Sequence, residues 1–250
     1  MGSDINIKIY LNDPKFYMID NNTVAASRIT PNLVLETVEL YVRKVTVADT
    51  FVNAINQELT LRDAIYPFTR REMLTLTIPS GTTFFTKENL FRGQLGVRYF
   101  FAMVDAEAYN GNITKSPFYF QHNNLTEITL MENGQPMSQG RLKTKFDGEN
   151  SMVINAYRLF LETIGAVGDR ALSTPVTLDH FKNGNTLFCF TRSPDLCHGV
   201  NHLPNQTGNL TLQMSFSDDL ANSVMIICMA EFDSRIQINQ HKNVVTDYAV

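Results

Sequence analysis

Short apolar runs that alternate with polar residues recur along the chain, and most of them end at turn-forming residues. The clearest are MLTLTI (73–78), which ends at Pro79, GVRYFFAMV (96–104), which ends at an acidic loop, and LTEITLMENGQ (125–135), which breaks at Asn133-Gly134. An apolar period of two is typical of half-buried β-strands, and Asn-Gly is a strong hairpin signal. The pattern predicts a β-sandwich.

Further strands are predicted on either side of this region. Residues 5–11 and 16–19 read as a first hairpin around Asn12-Asp13-Pro14, and residues 33–47 read as one long strand with a bulge between Glu36 and Glu39. Strands are also predicted near 72–78, 97–104, 116–121 and 125–132, and in NTLFCFTR, NLTLQMSFS, VMIICMAEF and RIQINQ. The total is about eight to ten strands.

Two segments have a helical period instead. Asp49 is a predicted N-cap for a helix that runs to about residue 59 or 61, with an apolar stripe that includes Phe51 and Ile55. A second helix is predicted to open at Asn150 or Ser151 and to end near Gly165, and residues 177–181 read as one helical turn. Loops of very different length favour two packed sheets over an up-and-down barrel. We therefore predict an all-β fold, a β-sandwich of two four-stranded antiparallel sheets with about two short helices in long connections, and residues 1–250 forming a single domain.

Composition agrees with a large globular domain. With 44% apolar and 18% charged residues, a chain of 250 residues can bury about three-quarters of its unfolded surface without cross-links. The 17 Phe and 9 Tyr suit bulky rings packed between sheets. A net charge of −4 argues against a basic face that coats nucleic acid. No apolar run is long enough to span a bilayer and no signal peptide opens the chain, so an intracellular origin is expected.

The sharpest candidate for chemistry is a possible zinc set, with the spacing C-x7-C-H-x3-H. Its members are Cys189, Cys197, His198 and His202. Zinc sites usually take their ligands from two closely spaced pairs, whereas Cys189 lies inside the predicted strand TLFCF. We interpret Cys189 as a small core residue and expect no metal and no cofactor.

Other groups also favour ordinary structure. Asp218-Asp219 falls in a predicted hairpin loop, and Glu231 and Asp233 are expected on a solvated strand face. His122, His180 and His241 are scattered, without a visible nucleophile. The basic clusters Arg70-Arg71 and 141–145 read as solvated or strand-edge charge rather than a DNA-binding field. The chain has no phosphate-loop or hydrolase motif, so we expect no catalytic residues and no enzyme activity.

Six stretches carry a family resemblance. They are residues 3–19, 33–47, 66–81 (YPFTRREMLTLTIPSG), 88–122, 183–197 (NGNTLFCFTRSPDLC) and 208–248. In content, order and spacing these stretches resemble the hexon, or major capsid protein, of Polinton (Maverick) elements and the related adintoviruses. The resemblance implies a jelly-roll topology for the predicted β-sandwich, and a viral structural protein that self-associates in the virion alongside minor capsid or penton proteins. Membrane contact is not expected, because no apolar run is long enough to span a bilayer.

The resemblance is to one part of the family's architecture. Family members carry two jelly rolls and assemble as trimers into pseudo-hexagonal capsomers, whereas this chain resembles the C-terminal jelly roll plus a short lead-in. It therefore reads as a fragment or as a shortened or domesticated copy. A carbohydrate-binding jelly roll is the alternative, and it requires aromatic side chains exposed on a concave face. A cupin-type enzyme would require an HxH pair with a following Glu, which the sequence lacks.

Overall fold

A computed structural model describes residues 7–20, 32–147, 152–166, 176–193, 206–241 and 243–247. The strands are β1 (Ala64–Ile78), β2 (Phe84–Lys87), β3 (Gln94–Leu95), β4 (Arg98–Asp105), β5 (Leu125–Glu132), β6 (Gln135–Lys143), β7 (Leu187–Thr191), β8 (Gln206–Thr207), β9 (Leu210–Phe216), β10 (Val224–Ile238) and β11 (Val244–Thr246). The helices are α1 (Asp49–Leu61), α2 (Ala106–Tyr109), α3 (Ile154–Thr163) and α4 (Leu178–Lys182).

The strands form two antiparallel sheets with jelly-roll connectivity. The first sheet has the order β1-β10-β4-β7, with β11 beside β10, and the second has the order β2-β9-β5-β6. When the short strands β3, β8 and β11 are set aside, the first long strand pairs with the eighth, the second with the seventh, the third with the sixth and the fourth with the fifth. This nested pairing is the double Greek key of a jelly roll, so the predicted fold class is confirmed.

The core lies between the two sheets and is rich in aromatic rings. Phe101 of β4 and Phe190 of β7 are buried with their ring centroids 6.1 Å apart and their planes at 73°, an edge-to-face contact. Leu130 of β5 and Leu212 of β9 are also fully buried and belong to the same apolar cluster. The phenylalanine side chains therefore pack between the two sheets, as the sequence predicted.

One sheet is buried on both faces near β7, because α3 packs against that strand. The buried side of α3 consists of Ala156, Leu159, Phe160 and Thr163. Cys189 lies in β7 on the face opposite Phe188 and Phe190, and it is fully buried. Continuous burial explains why TLFCF contains apolar residues in succession instead of a strict alternation.

The two strand predictions in the first part of the chain are wrong. Among residues 7–20, the structure has a 3-10 turn at Pro14–Phe16, in which Asp13 accepts a hydrogen bond from the Lys15 amide at 3.0 Å, and no strand. Pro14 has no N–H to give to a ladder, and Asp13 stabilises the turn instead. Residues 33–47 are exposed and form neither helix nor strand, and no described strand pairs with them. High strand propensity without a neighbouring strand does not make a sheet.

Several boundaries also differ from the predictions. Residues 116–121 form no strand, and only an isolated parallel bridge joins Phe120 to Asn185. The runs VMIICMAEF and RIQINQ belong to one strand, β10. The first sheet has five strands rather than four, because β11 pairs with the end of β10. The first helix has Ala48 rather than Asp49 as its N-cap. The second helix begins at Ile154, later than predicted.

Candidate interaction surface

The candidate zinc set does not come together among the described residues. Cys189 is buried in β7, and burial raises the pKa of its thiol well above the usual range, which keeps it neutral. A zinc ligand must be a thiolate, so this environment opposes metal binding. Cys197, His198 and His202 lie outside the described residues. No group of three His, Cys, Asp or Glu side chains suited to a metal occurs in the described part of the chain.

Glu231 corrects the expectation of a solvated acidic face. Its side chain is 4% exposed in the middle of the first sheet, with Arg71 and Arg98 opposite it on the two neighbouring strands. The Nε of Arg71 donates to Oε1 at 2.8 Å, and the Nη2 of Arg98 lies 2.6 Å from Oε2. Arg98 also donates to the carbonyl oxygen of Thr163 in α3 at 2.9 Å. The carboxylate therefore joins β1, β10, β4 and α3 and is not placed for catalysis.

The predicted basic clusters have different surroundings. Arg70 forms an ion pair with Glu72, and its guanidinium lies 4.4 Å from the centre of the Phe232 ring, so it is part of the fold. Arg141, Lys143 and Lys145 are exposed along and just beyond β6. Three exposed cations on one strand edge make a narrow basic strip, which is smaller than the field that phosphate binding usually needs.

The histidines are not gathered into a site either. His180 lies in α4 and His241 follows β10. His122 is half-buried and stacks on Phe146, with ring centroids 4.1 Å apart and planes within 4°. Its Nδ1 accepts a hydrogen bond from the Asn124 amide at 3.0 Å. Burial lowers the pKa of His122, while the nearby Asp147 carboxylate opposes the shift.

The largest unusual feature of the surface is an exposed apolar tract, which we define as residues 33–66. It comprises Leu33, Val34, Leu35, Val38, Leu40, Tyr41, Val42, Val45, Val47, Phe51, Val52, Ile55, Leu61, Ile65 and Tyr66, all exposed. Only Leu59 of α1 is buried, although the predicted apolar stripe of that helix is present. An open groove of about 320 Å³ runs beside α1, lined partly by Phe51 and Ile55. Exposed apolar surface can mark a contact site, so this tract is the candidate interaction surface.

The loop 105–112 differs from this tract, since it carries no exposed large apolar side chain in the structure. Asp105 accepts a hydrogen bond from the Glu107 amide at 2.8 Å, and Lys115 Nζ lies 2.9 Å from its carboxylate. Burial acts to raise the pKa of Asp105, but the bonds from Lys115 and Glu107 outweigh it and hold that pKa below its usual value. The loop is fixed by local polar contacts.

A second, smaller exposed patch is aromatic. Phe118 is 70% exposed and Tyr119 is 49% exposed, and the ring of Tyr119 lies directly over Gly184, where a side chain would not fit. The amide of Phe120 donates to the Gly184 carbonyl at 2.8 Å and fixes this arrangement. Sequence analysis assigned these residues to a strand and so did not identify the patch.

Comparisons with known proteins add one distant relative. No protein-family model matches the chain. An uncharacterized protein of Caenorhabditis elegans is 26% identical over 188 residues, which are 74% of this chain and 44% of that protein. The chain therefore spans less than half the length of this relative. No helix in the described part of the chain is long and apolar enough to cross a membrane.

Three solved structures are similar over about three-quarters of the chain. The cryo-EM structure of the Sputnik virophage matches with a TM-score of 0.45 and 14% identity, over 76% of this chain and 39% of that one. The PBCV-1 virus capsid matches with a TM-score of 0.42 and 11% identity, over 75% and 52%. The mavirus major capsid protein matches with a TM-score of 0.41 and 10% identity, over 74% and 41%. At these scores we base the fold on the strand pairing alone.

Proposed function

We propose that this chain is a capsid building block, a single jelly-roll domain spanning residues 1–250 that acts through its surfaces. Jelly rolls serve as capsid proteins, lectins and cupin enzymes, so the fold by itself does not choose among these functions. The choice rests on the exposed apolar tract 33–66, which is suited to protein contacts and not to a small polar ligand. The resemblance of six sequence stretches to Polinton and adintovirus hexons points the same way.

The buried ionic groups support a structural role. Glu231 and its two arginines are used in joining three strands and a helix, and Cys189 is a packed core residue. A catalytic carboxylate would need access to a substrate and a second group in reach. We therefore propose that the chain is not an enzyme and binds no cofactor.

In the proposed capsid the chain self-associates and is part of the virion after assembly inside a host cell. Hexons of the resembled family place six jelly rolls from three chains in each capsomer. A chain with one jelly roll would need a further jelly roll, either from other copies or from a longer form of the protein, to fill that arrangement. Minor capsid or penton proteins are further expected partners, and neither a membrane nor nucleic acid is.

Mass measurement and particle imaging of the purified chain test this proposal. We expect discrete oligomers by sedimentation and ring-like or shell-like particles by electron microscopy. A protein that stays monomeric at every concentration would contradict the capsid function. A chain that becomes soluble only when joined to another jelly roll would support it, because that would identify the tract as an interface.

A carbohydrate-binding module is the second candidate, because Phe118 and Tyr119 are exposed side by side. Exposed rings on an ordered loop can stack on sugar faces. Replacing Phe118 with Ala, measured against a glycan panel, separates the two functions. Tight sugar binding that this change abolishes would favour the lectin function, whereas the capsid function predicts no sugar binding in either protein.

A further inference from the structure

The first sheet ends in a long open edge. Strand β1 has 15 residues and pairs along its whole length with β10, and no other described strand pairs with it. Its second half includes Met73, Thr75 and Thr77, which are exposed. Long open edges attract other strands, and most proteins shorten, charge or cover them. Nothing among the described residues covers this one.

The register shows which backbone groups point out from that edge. The carbonyls of Ser223 and Glu231 accept bonds from the amides of Ala106 and Val97, so odd-numbered residues of β10 face β4. In an antiparallel ladder the even-numbered residues of β10 then face β1, and they pair with even-numbered residues of β1. The N–H and C=O groups of Met73, Thr75 and Thr77 therefore point outward.

Pro67 agrees with this assignment. It is an odd-numbered residue in the middle of a regular ladder, opposite Arg235. Proline has no N–H, so in an edge strand it is tolerated where that position faces solvent. The edge beyond it, from about Thr69 to Ile78, offers alternate donors and acceptors to an incoming strand.

The same chain contains a segment with strand propensity that forms no strand in a single copy. Residues 33–47 are rich in β-branched and large apolar side chains, which favour a strand, and their apolar groups at Leu33, Leu35, Leu40 and Val42 are exposed. Such a segment, fully extended, would span about 50 Å, which is enough to match the whole of β1. The open edge of β1 and residues 33–47 are therefore complementary, because among the described residues the edge lacks a neighbouring strand and the segment lacks a sheet.

We propose that residues 33–47 add as a β-strand to the open β1 edge of a second copy of this chain. In a single copy the two segments form no ladder with each other, and α1 separates them in the sequence, so the pairing joins two copies. A symmetric exchange gives each copy one donated strand and one covered edge, which closes a dimer. The donated strand also takes part of the tract 33–66 out of water. This pairing specifies how the chains of the proposed capsid protein would self-associate, and it rests on that proposed function.

Two variants of the full chain test the pairing. Thr75→Pro removes an outward N–H without removing any bond to β10, and Thr75→Ala is its control because it keeps that N–H. Leu40→Lys places a charge on the donated strand, and Tyr10→Lys is its control at another exposed apolar position. Circular dichroism checks that every variant is folded. Sedimentation should show wild-type dimers as the first oligomer to form at low concentration, before larger oligomers. Dimer association should be at least about tenfold weaker in Thr75→Pro and Leu40→Lys and unchanged in both controls.

Hydrogen exchange gives an independent measurement. The amides of Met73, Thr75 and Thr77 should exchange quickly in dilute protein and slowly in concentrated protein. A monomeric wild type, a Thr75→Pro dimer of normal strength, or outward amides that stay unprotected in the dimer would each overturn the pairing. Dimers that form no larger particles would support the pairing while contradicting the capsid function. Particles that survive Thr75→Pro would leave the capsid function intact and contradict the pairing.

Discussion

Replacing Arg98 with Ala should destabilise the fold far more than replacing Arg71, although both arginines contact Glu231. The side chain of Arg98 is 23% exposed and that of Arg71 is 66% exposed, while the glutamate is 4% exposed. Arg71 contributes less, because most of its side chain is in water and solvent screens its charge. Solvent cannot readily replace Arg98, which lies between the sheet and α3.

The magnitudes follow from burial. Removing one partner of a buried ion pair costs about 3–5 kcal/mol, because the other charge stays buried without compensation, and we expect about 3 kcal/mol for Arg98→Ala since Arg71 remains. The variant also loses the bond to the Thr163 carbonyl. An exposed ion pair contributes about 0–1 kcal/mol, so Arg71→Ala should cost less than about 1 kcal/mol.

Urea unfolding followed by circular dichroism measures both differences. The dependence of unfolding free energy on urea should be the same in both variants, so that the midpoints compare directly. Equal losses, or a loss below about 1 kcal/mol for Arg98→Ala, would refute the assignment of Arg98 as the buried partner. The double variant Arg98→Met/Glu231→Met should recover part of the loss, because it leaves no buried charge without a partner, and Arg71, which loses Glu231, is 66% exposed.

Three further predictions concern single positions. The pKa of His122 is about 6.5 in the unfolded chain and lower in the folded protein, so the free energy of unfolding should fall as the pH drops below about 6.5. His122→Phe should flatten that dependence, which urea titrations at several pH values would measure. Cys189→Ala should cost about 1–2 kcal/mol through lost packing, and elemental analysis should find less than one zinc per chain before and after the change. Gly134 has φ of 80°, so Gly134→Ala should lower the unfolding free energy by about 1 kcal/mol through backbone strain. Gly208→Ala is the comparison for steric crowding, because a Cβ there would lie 2.7 Å from the Asn133 Oδ1. Thermal unfolding of the two glycine variants checks the last prediction.

Alternating strands next to clear turns were predictable from sequence. The hairpin between β5 and β6 is one example: Asn133 and Gly134 have φ of 52° and 80°, as that turn requires. The first half of β1 was missed because Pro67 and two arginines do not look like strand residues. They are accommodated there because β1 is an edge strand and because the arginines pair with acidic side chains.

Long-range partners decided the rest. Glu231 was predicted to be solvated, and its burial depends on Arg98, which lies on another strand far away in the sequence. Residues 33–47 illustrate the opposite case, since their strand propensity is clear and the described structure provides no partner. Local patterns report propensity, whereas pairing depends on which segments the topology brings together.

Sedimentation of the purified full chain across a broad concentration range, with electron microscopy of the same samples, tests the central claim most directly. The capsid function predicts discrete oligomers that grow with concentration and appear as closed rings or shells. A chain that remains monomeric throughout, and that binds a glycan through Phe118 and Tyr119, would contradict it.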